Sequence, residues 1–272
     1  MVEYEQKARY GIDDLREIVK LLRSPGGCPW DKEQNHRSIR NDFLEEAYEA
    51  VEAIDLLDMT LMREELGDVL LQVVFHCTLA EEEQAFDFDA VCDEICKKLI
   101  VRHPHVFGDV KAEDTDTVLK NWDAIKKETK GQETYADTLN SVAKSLPALS
   151  RAQKVGKRAA RAGMDFNDKE SAFDCVRAER SELQAAIAAG DKSMMEEELG
   201  DLIFSCVNTA RHLGIDAEEA LTKATNKFIQ RFTDTEQLVR ADGKDMPALS
   251  IEELDVYWEN AKEHQRMAGQ KN

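Results

Sequence analysis

Two matching sets of acidic residues are the part of this sequence best suited to chemistry. Each set has two glutamates three positions apart, followed by a glutamate and an aspartate with the same spacing. The sets are Glu46, Glu49, Glu65 and Asp68, and, 133 positions further on, Glu179, Glu182, Glu198 and Asp201. Two carboxylates about 5 Å apart repel by roughly 3 kcal/mol at an effective dielectric constant of 20. A divalent cation removes this repulsion, and purely oxygen ligation favours Mg²⁺, with Mn²⁺ as a substitute.

The second half of each acidic set lies in a segment that is typical of a buried helix. In 62–80, apolar side chains cover most of the helix circumference. Polar residues spaced by three and four nevertheless form one strip along it. The strip is Glu65, Asp68, Gln72 and His76 in the first copy, and Glu198, Asp201, Ser205 and Thr209 in the second. Such a strip needs partners, because unpaired buried charge is costly.

Each of these helices also contains a glycine, at positions 67 and 200. A glycine inside a helix costs about 1 kcal/mol relative to alanine. Its presence in both copies predicts that another backbone approaches closely there. A chance glycine inherited by both copies is the simpler alternative.

The first half of the first set lies in 43–54, whose apolar residues form a stripe on one side of a helix. The stripe consists of Leu44, Ala47, Tyr48, Val51 and Ile54, and Glu46 and Glu49 point away from it. An acidic helix face is usually solvated surface. If 43–54 and 62–80 form an antiparallel hairpin, however, both carboxylate pairs line a common groove.

Two further motifs, one basic and one that combines an aromatic with a basic residue, follow each acidic set. KxxxR gives Lys98 and Arg102, then Lys227 and Arg231; WxxxK gives Trp122 and Lys126, then Trp258 and Lys262. A lysine and an arginine one helical turn apart can clamp phosphate oxygens. A tryptophan beside a lysine suits a base or sugar next to its phosphates. Surface ion pairs and a core tryptophan explain each motif alone, but their recurrence favours substrate binding.

Four matching elements in one order indicate an internal duplication. Only five prolines and thirteen glycines occur in 272 residues, which favours long helices over many short strands. We therefore expect an all-α fold of two helical-bundle domains in tandem. The predicted domains are 1–130 and 148–272, with the polar, proline-containing stretch 131–147 as the linker.

The composition predicts a soluble cytoplasmic protein. Hydrophobic residues make up 42% and charged residues 33%, which is sufficient for a folded core. The formal net charge of −19 disfavours direct binding to nucleic acid. No segment approaches the ~18 consecutive apolar residues of a membrane-spanning helix, and the N-terminus lacks a signal-peptide core. The six cysteines form no CxxC pair, so we expect reduced thiols.

The motifs in combination resemble a known enzyme family. Glu-Glu-x-x-Glu followed by Glu-x-x-Asp on paired helices resembles the all-α nucleoside triphosphate pyrophosphohydrolases. The stretches GGCPWDKEQ (26–34), RHPHVFGD (102–109) and RAQKVGKR (151–158) make nearly the whole chain similar to two-domain MazG proteins. This resemblance implies Mg²⁺-dependent hydrolysis of NTPs and dNTPs to monophosphate and pyrophosphate, with water attacking the α-phosphorus. It also implies a homodimer in which helices of two protomers pack together.

The resemblance also implies roles for individual residues. By matching positions, the two acidic sets are the metal ligands, and Glu46, Glu49, Glu179 and Glu182 belong to the catalytic groups. Glu45 is a candidate general base that orients the attacking water. The second copy has Ala178 in place of this glutamate. The C-terminal copy is usually taken as the main catalyst in the family, whereas here the N-terminal motif is the complete one. We expect both copies to bind metal.

Three other interpretations stay open at this point. A di-iron helical bundle also has glutamates on facing helices, but it needs Glu-x-x-His pairs, which neither acidic motif contains. A regulatory or scaffold protein is a second alternative, with Ala178 as a sign of lost catalysis. A pyrophosphohydrolase for an alarmone or a phosphoribosyl nucleotide is the third, because the motifs do not fix the base or the sugar.

Overall fold

The computed structural model describes residues 4–110 and 133–269, together with residues 2, 114, 118 and 125. Over these residues the chain contains twelve α-helices and no strand, so the predicted all-α fold is confirmed. The chain divides into two compact units, Met1–Lys126 and Lys127–Asn272. Among the described helices, none combines the length and the apolar composition that crossing a bilayer requires. The domain limits at 130 and 148 stay a prediction.

The first unit is built around two long helices that form a hairpin. Its helices are α1 (Ile12–Arg23), α2 (Pro29–Glu33), α3 (Arg40–Asp55), α4 (Met59–Glu82), α5 (Phe88–Arg102) and α6 (Pro104–Phe107). The core lies between α1 and the C-terminal half of α4, where Val19 packs with Val74, Phe75 and Leu79. The ion pairs Lys20–Glu81 (2.6 Å) and Arg23–Glu82 (2.7 Å) hold α1 against the end of α4.

The second unit repeats this hairpin and adds helices around it. Its helices are α7 (Tyr135–Asn140), α8 (Ala148–Arg161), α9 (Lys169–Ala189), α10 (Lys192–His212), α11 (Ala217–Ala241) and α12 (Ile251–Gly269), with a 3₁₀ turn at Met246–Ala248. Helices α9 and α10 form the hairpin, α8 packs on α10, and α11 packs on α12. Part of the predicted linker is helical, because α7 lies within 131–147. This helix packs on α8, and Arg158 donates a hydrogen bond to the Thr138 carbonyl oxygen.

Matching local signals begin and end the corresponding helices of the two hairpins. The Asp58 carboxylate accepts from Thr60 N (2.9 Å) and caps α4, while the Asp191 carboxylate accepts from Ser193 N (3.0 Å) and caps α10. The turn before each cap contains a left-handed residue, Leu57 with φ 56° and Gly190 with φ 68°. These turns produce the hairpin geometry that the sequence predicted.

The left-handed turn is more costly in the first unit, because a leucine occupies it. An L-residue other than glycine pays roughly 1–2 kcal/mol in this conformation. The Leu57 side chain is 79% exposed, so it contributes little packing in return. We expect Leu57→Gly to raise the free energy of unfolding by about 1 kcal/mol in urea titrations. Gly190→Leu is the matched reverse change and should lower it; unchanged unfolding curves for both would contradict the left-handed turns.

Several large apolar residues of the hairpins are exposed rather than buried. Tyr48 and Val51 of the stripe on α3 are 53% and 51% exposed, whereas Ala50 and Ala53 pack against α4. The expected close backbone approach at Gly67 and Gly200 is wrong for the described part of the chain, where no atom lies within 4 Å of an added Cβ. An amphipathic pattern identifies an apolar face, but it does not reveal what covers that face.

Candidate metal centres

Each hairpin brings three glutamates of the acidic sets into one cluster. In the first unit, carboxylate oxygens of Glu46, Glu49 and Glu65 lie within 4.8 Å of one another. In the second unit, Glu179, Glu182 and Glu198 form the same arrangement with the same limit. We refer to them as the first and the second acidic cluster. Within the described residues, they are the groups in which three or more side chains could hold a metal ion.

Small residues on α3 and α9 bring the acids close to the facing helix. Glu46, Glu49, Ala50 and Ala53 recur at helical spacing and therefore share one face of α3. Ala53 is fully buried there, and Ala186 is fully buried at the matching position of α9. Alanine permits close packing of the two helices, so Glu46 and Glu65 are half-buried at the edge of the hairpin interface, whereas Glu49 is exposed.

The clusters contain negative charge that nearby positive side chains do not neutralise. Burial raises the pKa of Glu46, and the charges of Asp68 and Glu49 raise it further. The pKa of Glu65 is raised by burial and by Glu49, and that of Glu198 by burial and by Glu182. Within the described residues, the charges that shift these three carboxyl groups most are all negative.

Three further acidic-site predictions lie beside the clusters rather than within them. Asp68 and Asp201 are one turn beyond Glu65 and Glu198 on the same helices, and their charges raise the pKa values of Glu46 and Glu198. Glu45 is exposed on α3 and also raises the pKa of Glu46. Ala178, at the matching position of α9, is exposed.

The acidic clusters fit a hard divalent cation. All their donors are carboxylate oxygens, which are the ligands that Mg²⁺, Ca²⁺ and Mn²⁺ prefer. Two oxygens bound to one Mg²⁺ lie about 3–4 Å apart, since each Mg–O distance is about 2.0–2.1 Å. The oxygens of each cluster lie within 4.8 Å of one another, so only a small contraction would be needed.

The predicted substrate-binding residues of the second copy lie together on one helix pair. Lys227 and Arg231 are on α11, and Trp258 and Lys262 are on α12. The Trp258 ring is 5.2 Å from the Phe228 ring, and Arg231 Nε donates to Gln265 Oε1 at 3.2 Å. Lys262 pairs with Glu259 at 2.7 Å. The first two contacts join α11 to α12, and the third lies within α12; none of the three involves the second acidic cluster.

The first-copy counterparts are described only in part. Lys98 is exposed on α5, and Arg102 is the half-buried last residue of that helix. Trp122 and Lys126 lie outside the described residues.

The sequence analysis missed two residues, Cys175 beside the second acidic cluster and His36 beside His76. Cys175 is one turn before Glu179, and its thiol donates to Glu179 Oε1 at 3.5 Å. Burial and this carboxylate raise the pKa of the thiol. His36 precedes α3, and its Nδ1 lies 2.7 Å from His76 Nδ1 with the rings stacked. The i, i+4 spacing of Cys175 and Glu179 was a usable signal, whereas no periodicity relates His36 to His76.

The histidine pair predicts a pH dependence that is confined to the first unit. In this hydrogen bond one Nδ1 carries a hydrogen and the other Nδ1 accepts it. Protonation of both rings leaves no acceptor and therefore breaks the bond. Burial and His36 lower the pKa of His76 below its unfolded value of about 6.5. The folded state then binds fewer protons, and its stability falls as the pH falls through 6.5. Glu83 Oε2 lies 3.9 Å from His36 Nε2, on the side of the ring away from His76.

We expect His76→Thr, which introduces the residue of the matching position 209, to reduce the change in melting temperature between pH 7.5 and 5.5. The exposed His264→Gln change is the control and should leave that slope as it is. An unchanged slope in His76→Thr, measured by thermal melts across the pH series, would contradict the shared hydrogen.

Comparison with known proteins places the chain in a family. The model of the MazG nucleotide pyrophosphohydrolase domain matches residues 34–107 and 167–234, which contain both acidic sets. The nucleoside triphosphate pyrophosphohydrolase of Escherichia coli (strain K12) is 45% identical over 254 residues, which are 92% of this chain and 97% of that protein. The nucleoside triphosphate pyrophosphohydrolase/pyrophosphatase MazG of Thermotoga maritima is 44% identical over 251 residues, 92% and 95% of the two chains. The protein therefore belongs to the MazG family and has the nucleotide pyrophosphohydrolase domain twice in tandem.

Proposed function

We propose that this protein hydrolyses nucleoside triphosphates to nucleoside monophosphates and pyrophosphate, with Mg²⁺ at its acidic clusters. The observation that carries the proposal is the pair of glutamate clusters within the two matched domain regions. Two relatives named for this activity are similar to the chain over 95% or more of their own length. Substrates of this kind are metabolites of the cytoplasm, so the proposal includes a cytoplasmic location.

In each unit, the three clustered glutamates and the following aspartate would hold the cation. The ligands would be Glu46, Glu49, Glu65 and Asp68 in the first unit, and Glu179, Glu182, Glu198 and Asp201 in the second. When bound, a divalent cation neutralises charge on the phosphate chain. The pKa values of Glu46, Glu65 and Glu198 are raised by burial and by neighbouring carboxylates, and this supports the assignment, because a bound cation would stabilise the ionised form against both effects.

The residues of the chain itself would orient the water and the substrate. Glu45 is exposed next to Glu46, where its carboxylate can accept a proton from a water molecule as a general base. The second unit has Ala178 there, so its water would be oriented by the clustered glutamates alone. Lys227 and Arg231 would bind phosphate oxygens, with Trp258 and Lys262 beside them for the nucleoside part. Lys98, Arg102, Trp122 and Lys126 would have these roles in the first copy.

A pyrophosphate-release assay on the eight common NTPs and dNTPs, with and without Mg²⁺, tests this function. Release that needs Mg²⁺ and yields the monophosphate supports it. Release of orthophosphate instead would identify cleavage at the γ-phosphorus and contradict the proposal. If none of the eight is cleaved, the substrate assignment fails, and alarmones and phosphoribosyl nucleotides are the next substrates to assay.

We further propose that the protein acts as a homodimer, in which a second copy covers the exposed apolar faces of the hairpins. Leu66 and Leu70 flank Gly67 on α4, and Leu199 and Ile203 flank Gly200 on α10; all four side chains are at least 41% exposed. Exposed apolar surface of this extent is typical of a protein interface. The open space at both glycines would let a helix of the second copy approach closely.

The dimer predicts that charge at matched positions on these faces separates the protomers. We expect the double variant Leu70→Glu/Ile203→Glu to elute with half the wild-type mass in light scattering, because a glutamate buried at an interface has no partner. Gln237→Glu adds the same charge to an exposed polar position of α11 and is the control. A double variant with wild-type mass would contradict an interface on these faces.

A further inference from the structure

The acidic helix faces of the two units differ at one matching position. Cys175 of α9 corresponds to Asp42 of α3, 133 positions earlier. Each of these residues precedes the first glutamate of its cluster, Glu179 or Glu46, by one helical turn. The first unit therefore continues its carboxylate face with another oxygen donor, whereas the second unit has sulfur there. Sulfur is a soft ligand, and it selects other cations than the hard ones that carboxylates prefer.

The Cys175 thiol is in direct contact with the second acidic cluster. Its sulfur donates a hydrogen bond to Glu179 Oε1 at 3.5 Å. Carboxylate oxygens of Glu179, Glu182 and Glu198 lie within 4.8 Å of one another. The thiol is half-buried, and the charges of Glu179, Glu182 and Asp201 all act on it, since each of them raises its pKa. The sulfur thus lies at the edge of a group of carboxylates that nearby cations do not neutralise.

The spacing of Cys175 and Glu179 suits two ligands of one tetrahedral cation. Residues four positions apart on a helix can bind the same metal ion, as the two histidines of the His-Glu-x-x-His zinc motif do. With Zn–S at about 2.3 Å and Zn–O at about 2.0–2.2 Å, tetrahedral ligation separates the sulfur from the oxygen by about 3.6 Å. The observed separation is 3.5 Å, so the two atoms need almost no movement to bind one Zn²⁺.

A thiol without neighbouring donors does not make a metal site, and the second unit contains one such thiol for comparison. Cys206 on α10 is exposed, and its sulfur contacts no carboxylate in the described part of the chain. Cys175 instead has a second donor at ligand distance, and that donor belongs to a cluster of three carboxylates. The soft ligand and the hard ligands are therefore adjacent in the second unit.

We propose that the second acidic cluster binds a thiophilic divalent cation of the Zn²⁺ class, with Cys175 Sγ and Glu179 Oε1 as a chelating pair. The thiol proton passes to solvent when the cation binds. Because Glu179 is also a ligand of the proposed Mg²⁺ site, the soft cation competes with Mg²⁺ in the second unit. The first unit has oxygen donors at all the matching positions and keeps its preference for Mg²⁺. This inference rests on the proposed function, because it assigns a competing cation to the same site.

Titration of the metal-free full chain with Cd²⁺ tests the proposal. Cd²⁺ substitutes for Zn²⁺, and its bond to a thiolate absorbs in the ultraviolet, so binding at sulfur is observed directly. We expect Cys175→Ser to lose the absorbance of one thiolate–Cd²⁺ bond per chain. Cys206→Ser removes an exposed thiol of the same unit and should leave the absorbance as in the wild type. An unchanged absorbance in Cys175→Ser, or equal losses in the two variants, would overturn the proposal.

Two further variants distinguish chelation from binding to the thiol alone. Glu179→Gln retains the thiol but removes its partner oxygen, so the Cys175 absorbance should require at least about ten times more Cd²⁺. The same absorbance at the same Cd²⁺ concentration would show that the thiol binds alone and would overturn the chelate. Cys175→Asp introduces the residue of the first unit; it should lose the absorbance and retain the Mg²⁺-dependent rise in melting temperature. Circular dichroism verifies the fold of each variant, and Glu179→Gln still tests the pair if Cys175→Ser does not fold.

The failure of this inference and the failure of the proposed function give different results. The Cd²⁺ titration contains no nucleotide and measures binding at sulfur rather than catalysis. If pyrophosphate release requires Mg²⁺ but Cys175 gives no thiolate–Cd²⁺ absorbance, the chelate is overturned and the hydrolytic function stands. If the absorbance appears but no triphosphate is cleaved, the cation site is supported and the hydrolytic function fails.

Discussion

Replacing Glu49 and Glu182 together by glutamine is expected to reduce pyrophosphate release at least about a hundredfold. Groups that merely support metal ligands cost 10–100-fold when they are changed, so direct ligands should cost at least the upper end of that range. Each replacement removes one of three carboxylates that lie within 4.8 Å of one another, and glutamine preserves the size of the side chain. The measurement is the initial rate of pyrophosphate release at saturating triphosphate and Mg²⁺.

The two single variants then identify the working unit. If the rate falls with Glu182→Gln alone, the C-terminal unit is the catalyst despite Ala178; a fall with Glu49→Gln alone assigns it to the N-terminal unit. Glu52→Gln on α3 and Glu196→Gln on α10 are matched controls, because both are exposed and lie outside the clusters. A double variant with wild-type rate would remove the clusters from the reaction.

Loss of activity should be accompanied by a gain in metal-free stability. The raised pKa values show that ionised Glu46, Glu65 and Glu198 are disfavoured in the folded chain. Removing a neighbouring charge relieves this repulsion, so we expect the double variant to melt above the wild type in EDTA. A lower melting temperature would instead attribute the lost activity to a damaged fold.

Removing the divalent cation is expected to abolish activity and to lower the melting temperature by roughly 5–10 °C. A ligand at 100 times its dissociation constant stabilises the folded state by about 2.7 kcal/mol, and each kcal/mol shifts the melting temperature of a chain of 150–250 residues by about 2–4 °C. Thermal melts with a Mg²⁺ titration after EDTA treatment measure the shift. The same shift in Glu49→Gln/Glu182→Gln would show that Mg²⁺ binds elsewhere.

The pH dependence of the metal-free protein follows from the same carboxyl groups. Their folded pKa values are raised above the unfolded value of about 4.3, so the folded state holds protons more tightly. Their ionisation destabilises the folded chain at neutral pH, and this cost is relieved as the pH falls through the raised folded pKa values towards the unfolded value of about 4.3. Bound Mg²⁺ should remove this gain in stability at lower pH, because it stabilises the ionised carboxylates.

The duplication, the all-α fold and the acidic hairpins could be predicted from the pattern of residues alone. These features depend on local spacing: Glu46 and Glu49 are one helical turn apart, and Asp58 and Asp191 begin matching helices at the same register. A helix of fixed period places such residues on one face without help from distant contacts. The three-residue clusters could therefore be anticipated, although Asp68 and Asp201 lie beside them.

Which helix faces are buried and which distant residues meet depends on the packing of the whole unit and could not be predicted from the sequence. The alanines of α3, and not its large apolar residues, pack on α4, because the closest helix packing requires small side chains. His36 and His76 are forty positions apart, and only the folded loop and helix bring their rings together. Phe75 is buried in the core of the first unit, whereas Asn208 at the matching position lines a cavity in the second. Packing of this kind depends on the shapes of all neighbouring side chains at once, and a sequence pattern does not contain that information.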